Sequence, residues 1–180
     1  MPDVHSGRQI DLSGIRGYIK QASGTGTAES LEDSTLTGLH MRLKLEQVMV
    51  DVELSDWQGE VESLVLARVM YENLTDYLMP TQQSGTSTMI DEDGFQHSES
   101  ISLPRLTYEV YNGEVRELRD PFKWPELKLE GGAKTRGWVA FKSPEDGLLP
   151  RRFAFQIRLF EPGATSGWIR GTETFVFELP

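Results

Sequence analysis

Three histidines, His5, His40 and His97, are the chain's only imidazoles, and they are scattered along it. No His-x-x-x-His and no His–carboxylate spacing joins them, so a metal site would need folding to bring two together. The plainer reading is surface histidines on a tail, a strand start and a loop. Asp91-Glu92-Asp93-Gly94 suggests a different chemistry. Asp91 and Asp93 could place oxygens around a hard cation such as calcium, with Gly94 permitting the sharp turn. The spacing is not that of an EF-hand loop, and a short acidic β-turn explains the same residues. No other cofactor is expected.

Nucleophilic chemistry finds little support. Serines are plentiful, yet none sits in Gly-x-Ser-x-Gly or among arranged Asp and His partners. Gly24-Thr25-Gly26 lacks the lysine and following helix of a phosphate loop. Cysteine is absent, which removes thiol nucleophiles, disulfides, Cys-ligated zinc and iron–sulfur clusters. The expectation is a protein that is not an enzyme.

Binding chemistry is better represented. Trp57, Trp124, Trp138 and Trp168 could stack on sugar rings or anchor a protein partner. Trp138, inside an apolar strand, reads as packing. Trp124, between Lys123 and Pro125, reads as the exposed one, and with Arg119, Asp120 and Phe122 it forms the candidate binding loop. Asn73-Leu74-Thr75 is a formal glycosylation sequon, although a turn position favours Asn for backbone reasons alone.

The elements that must position these residues are strands. Met41, Leu43 and Leu45 alternate with polar neighbours, and Val48, Val50, Val52 and Leu54 alternate in the opposite phase. Period-2 alternation marks strands with one buried face, and the phase change places a bulge or strand break near Glu46-Gln47. Val61 to Leu74 reads as a central strand. Tyr108 to Arg116 reads as a hairpin whose Asn112-Gly113 forms a type I′ turn. Gly137–Phe141, Phe153–Phe160 and Trp168–Leu179 complete the set. No segment keeps a 3.6-residue period with caps, so a sandwich or barrel is expected. Residues 1–38 are poor in large apolar groups, and Gln21 to Ser30 is small and polar. They read as a flexible N-terminal arm or linker ahead of one domain at 39–180, with Ile10 to Ile19 as a competing docking segment.

The 180 residues carry 18 Lys and Arg against 28 Asp and Glu, a formal net charge of -10. That balance disfavours nucleic acid and anionic membrane surfaces as partners. No apolar run approaches the ~20 residues of a transmembrane helix, and Met1 to Ser6 does not resemble a signal peptide. The protein is therefore expected to be cytoplasmic, or extracellular or at the cell surface if an export signal has been removed.

Three blocks resemble a known family. They are Val65 to Asp76, Met89 to Phe95, and Leu129 to Pro144 with its Gly-Trp-Val-Ala-Phe core. Their order and spacing resemble the prokaryotic domain of unknown function 4352, over roughly residues 40–180. The resemblance implies an all-β, immunoglobulin-like antiparallel β-sandwich of the sort found on exported proteins and lipoproteins. The chain departs from the family in lacking a lipoprotein cysteine and in a longer 95–125 region. The family has no agreed catalytic residues to carry over. The expected function is a binding or structural module for a protein or glycan partner. The alternative is a self-assembling filament or particle subunit whose N-terminal arm donates a strand to its neighbour.

Overall fold

A computed structural model describes residues 2–21, 24–81, 86–160 and 169–180. More than half of them lie in strands, and the helical segments among them are single 3-10 turns. The N-terminal segment forms β1 (Arg8–Gln9), β2 (Arg16–Gln21), β3 (Gly24–Thr25), β4 (Glu29–Ser30) and β5 (Thr35–Thr37). Two long strands follow, β6 (Met41–Ser55) and β7 (Val61–Asn73). Then come β8 (Met79–Pro80), β9 (Thr88–Asp91), β10 (Gln96–Ser100), β11 (Tyr108–Tyr111) and β12 (Glu114–Glu117). The chain ends with β13 (Lys128–Leu129), β14 (Lys134–Lys142), β15 (Pro150–Phe160) and β16 (Ile169–Glu178). Trp168, expected at the start of the last strand, lies outside the described residues.

The expected all-β antiparallel sandwich is formed. Sheet A runs β12-β11-β6-β7-β14-β10 and sheet B runs β10-β9-β15-β16-β2. Strand β10 belongs to both: Gln96 to Ser98 pair with β9, while Glu99 and Ser100 pair with β14. Between the sheets lies a core built from the inward alternate residues, among them Leu43, Leu45, Val69 and Phe141 from sheet A and Phe153, Phe155 and Phe177 from sheet B. The Phe141 and Phe153 rings meet across it at 5.4 Å. Burying each such side chain contributes about 1.5–3 kcal/mol against leaving it exposed.

Strand β6 explains how one alternating sequence serves two faces. Its register against β7 shifts between Leu45 and Gln47, the bulge expected from the phase change. A second shift falls between Met49 and Val52, where Asp51 takes a positive φ of 57°. The extra residue turns Val52 and Leu54 to the opposite face from Val48 and Val50, although all four alternate in sequence. The hairpin forms as expected: Asn112 and Gly113 both have positive φ, and Tyr111 faces Glu114 in register.

The flexible arm is a correction. Residues 2–21 and 24–38 are built into both sheets. β5, β1 and β11 line up in series along the outer edge of β6, and β2 pairs with β16 over six residues from Arg16↔Glu178 to Gln21↔Glu173. β3 and β4 pair in turn with β2. Ile15 is only 2% exposed in the core, and Ile10, Leu12 and Ile19 pack against it. Glu109 then pins the segment: its carboxylate accepts the backbone N–H of Ser6 at 2.7 Å, that of His5, and the Arg116 guanidinium at 2.7 Å. Burial pushes this carboxyl up, but the Ser6 N–H, Arg116 and the His5 N–H together hold it below its usual range. A composition too polar to fold alone is ordered here by backbone pairing along two open sheet edges.

Candidate binding face

The connection from β10 to β14 covers one half of the outer face of sheet A, while Arg42, Lys44, Glu72, Lys134 and Arg136 stand on its uncovered half. Val52, Leu54, Leu64, Leu66, Trp138 and Ala140 point away from the main core, and Leu103, Leu106, Leu118 and Phe122 close over them. Phe122 meets Trp138 edge-to-face at 5.1 Å, and the Trp138 backbone N–H donates to the Lys123 carbonyl at 2.7 Å. Strand and cover approach so closely that a Cβ on Gly137 would fall 2.2 Å from the Pro125 nitrogen. No side chain fits there.

This arrangement corrects the candidate binding loop. Phe122 is buried core, and Trp124 is half-buried against the same cluster. The indole N–H of Trp124 is buried without an acceptor. Arg119 and Asp120 stay exposed on the cover, where Asp120 borders a depression of about 150 Å³ with Arg68 and Arg136. The reading of Trp138 as packing holds, at 5% exposure. Among the described residues the exposed tryptophan is instead Trp57, 78% exposed between β6 and β7. Nearby, a cleft of about 420 Å³ is lined by Asp56, Glu60, Glu62, Arg105 and Lys142. Its mixed charges favour no one ligand class.

The acidic turn has a structural role. Asp91 is 1% exposed; its Oδ1 accepts the N–H groups of Asp93 and Phe95, each at 3.0 Å, and its Oδ2 accepts from His97 Nε2 at 2.8 Å. The His97 bond, aided by the two backbone N–H groups, outweighs burial and holds the Asp91 carboxyl below the usual carboxylate range. Asp93 stands exposed. Among the described residues no three His, Cys, Asp or Glu side chains gather as metal ligands would. A second pair joins His40 Nδ1 to Glu173 Oε1 at 3.1 Å. Glu173 comes from β16, far along the chain, so no local spacing could reveal this pair. Asn73 is equally committed. Buried, it donates to the carbonyls of Tyr77 and Leu129 and accepts from Thr75, so the sequon is a turn anchor.

The outer face of sheet B is open. Lys20, Thr174 and Gln156 stand in one row across β2, β16 and β15, and Thr172 faces Arg158 in the next. Tyr18, Val176, Ala154 and Thr88 form the row on the other side. Beyond it Arg16 and Arg152 flank Glu178. Small side chains in the middle leave a groove of about 410 Å³ lined by Lys20, Thr86, Thr88, Gln156, Thr172 and Thr174, among others. Threonine, glutamine and alanine carry no spacing that marks a site, so the register is what reveals this row. The available signal was the outward alternation Ala154, Gln156, Arg158, which lacks any large apolar residue.

The fold defines an all-β sandwich protein. No family model and no curated protein matches the chain. A crystal structure of a conserved hypothetical protein from Bacillus anthracis is similar over 70% of this chain and 87% of its own, at 11% identity and a TM-score of 0.43. Among the described residues no helix is long and apolar enough to cross a membrane.

Proposed function

We propose that this chain is a non-enzymatic binding module of the cell surface whose ligand lies across the outer face of sheet B. The observation that carries the reading is the open groove of about 410 Å³ on one sheet, set against an outer face on the other that is covered over one half by Leu103, Leu106, Leu118 and Phe122. Rigid strands hold its hydroxyls, the Gln156 amide and the Lys20 ammonium at fixed spacings, which lowers the ordering cost of recognition. The carboxylates beside histidines are engaged: Asp91 holds a turn and Glu173 binds His40. Support for the surface location comes from the resemblance to domain of unknown function 4352. The N-terminal strands lie against their own sheets, which favours the module over the strand-donating subunit.

Amide chemical shifts recorded during titration with a panel of soluble polysaccharides test this. Perturbations confined to β2, β15 and β16 support it. Perturbations centred on Trp57, or none with any ligand, overturn it.

A further inference from the structure

The charges of the chain are not evenly spread. The molecule carries a formal charge of -10, yet among the described residues the strands β2, β15 and β16 gather Arg16, Lys20, Arg152 and Arg158 on the outer face of sheet B against the one carboxylate of Glu178. Arg152 is paired with Glu178 at 2.9 Å, and Arg16 donates to the Ala28 carbonyl at 2.7 Å. Lys20 and Arg158 have no carboxylate partner among the described residues. Lys20 lines one end of the groove with Arg158 in the next row, and Arg16 and Arg152 lie beyond the other end; at about 3.3 Å per residue that is roughly 13 Å from Lys20 to Arg16 and roughly 20 Å from Arg158 to Arg152. Between them Ala154 lines the groove, with Val176 and Tyr18 beside it in the same row, and threonines offer a methyl and a hydroxyl each.

From this pattern we propose that the ligand is an acidic polysaccharide lying along the strands, its anionic groups at the two cationic ends and its hydroxyl-bearing sugars over the threonine-lined centre. The proposal rests on the binding-face reading above. The spacing argues against nucleic acid, whose duplex carries one charge per ~1.7 Å of axis and would be repelled by the rest of this acidic molecule. Two sparse cationic ends joined by hydroxyl donors suit a polymer whose charges are separated by neutral polar groups. Wide charge spacing on the ligand matches wide charge spacing on the protein.

The test measures affinity of the full chain for polygalacturonate, dextran sulfate, neutral dextran and a single-stranded oligonucleotide, at 0.05 M and 0.5 M salt. Binding to polygalacturonate but not to dextran is expected, weakened at least tenfold at the higher salt, whereas a preference for the densely charged dextran sulfate overturns the spacing argument. Lys20→Glu and Arg158→Glu should each weaken polygalacturonate binding about tenfold at unchanged melting temperature. Lys20→Gln and Arg158→Gln serve if a reversal fails to fold. Equal binding of neutral dextran, or acidic binding indifferent to these substitutions, overturns the charge inference and leaves the open-face reading standing. Preference for the oligonucleotide also overturns it. Binding to none of the four, with no shifts in the wider titration, removes the open-face reading and this inference together.

Discussion

One half of the outer face of sheet A presents Val52, Leu54, Leu64, Leu66 and Trp138, and the connection from β10 to β14 buries it. The outer face of sheet B presents Lys20, Ala154, Gln156, Arg158, Thr172 and Thr174, and stays open as a groove. Both begin as alternating strands packed on a common core. The difference arises at two points: the Asp51 bulge, which turns two apolar residues outward, and the long connection from β10 to β14, which supplies Leu103, Leu106, Leu118 and Phe122 to cover them. One face has been spent on stability. The other carries fewer large apolar side chains, Tyr18 and Val176 among them, and its polar positions can vary without disturbing the fold, which is what a binding surface needs.

The N-terminal segment joins the two halves, and its removal should have the largest effect. Deleting residues 1–38 removes Ile15 and Leu36 from the core and strips β1 and β5 from β6 and β2 from β16. Bare, long edges pair with other chains. A whole domain has only about 5–15 kcal/mol to lose. The expected product is unfolded or aggregated, read as loss of the cooperative melting transition and growth in light scattering. A soluble truncated protein with an unchanged transition would return these residues to the role of linker.

The covered face comes next. Trp138→Ala and Phe122→Ala should each lose about 3–5 kcal/mol in chemical denaturation, because each leaves a cavity beside its edge-to-face partner. Trp57→Ala, at an exposed turn, should change stability by no more than about 0.5 kcal/mol. If Phe122→Ala proved silent, the cover would be loosely held, and the contrast between the faces would weaken.

Much of the fold was legible in the sequence. Period-2 alternation marked β6, β7 and β15, and Asn112-Gly113 fixed a hairpin because its turn demands positive φ at both residues. The strand pairing of residues 8–37 was less visible. Its stability comes from backbone bonds to distant edges, and backbone bonds leave no trace in side-chain type. The burial of Phe122 is hidden from the sequence for a related reason. A loop with one Phe and one Trp reads as a binding loop until the apolar outward patch of β6, β7 and β14 appears, and the β6 part of that patch, Val52 and Leu54, depends on one residue, Asp51, bulging. The open face was hidden by its plainness: threonine, glutamine and alanine announce nothing until register sets them side by side.

A smaller effect is expected with pH. The folded Asp91 carboxyl sits below its unfolded value of about 3.9, chiefly through His97 and the backbone donors of the turn. A depressed carboxyl contributes stability that is fully present above the unfolded value and is lost as pH falls through the folded one. Melting temperatures should therefore drop between about pH 5 and pH 3. In Asp91→Asn the baseline should be lower and the drop shallower, since its amide has no carboxyl to protonate. Parallel curves would mean that other carboxylates, Glu109 first among them, account for the acid sensitivity.

The smallest effect on stability should belong to the open face, and it carries the most information. Gln156→Ala combined with Thr174→Ala removes polar groups that line the groove without opening the core, since both side chains point away from Phe155 and Phe175 on the same strands. Surface changes of this kind usually stay within about 0.5 kcal/mol each. The same substitutions remove donors and acceptors from the middle of the groove, so ligand affinity should fall several-fold while the melting curve hardly moves. The two readouts must be taken on one sample. If stability falls by more than about 2 kcal/mol, beyond the range of surface substitutions, this face is itself part of the packing. The two sides of the sandwich would then differ in degree only, and the case for a dedicated binding face on sheet B would fail.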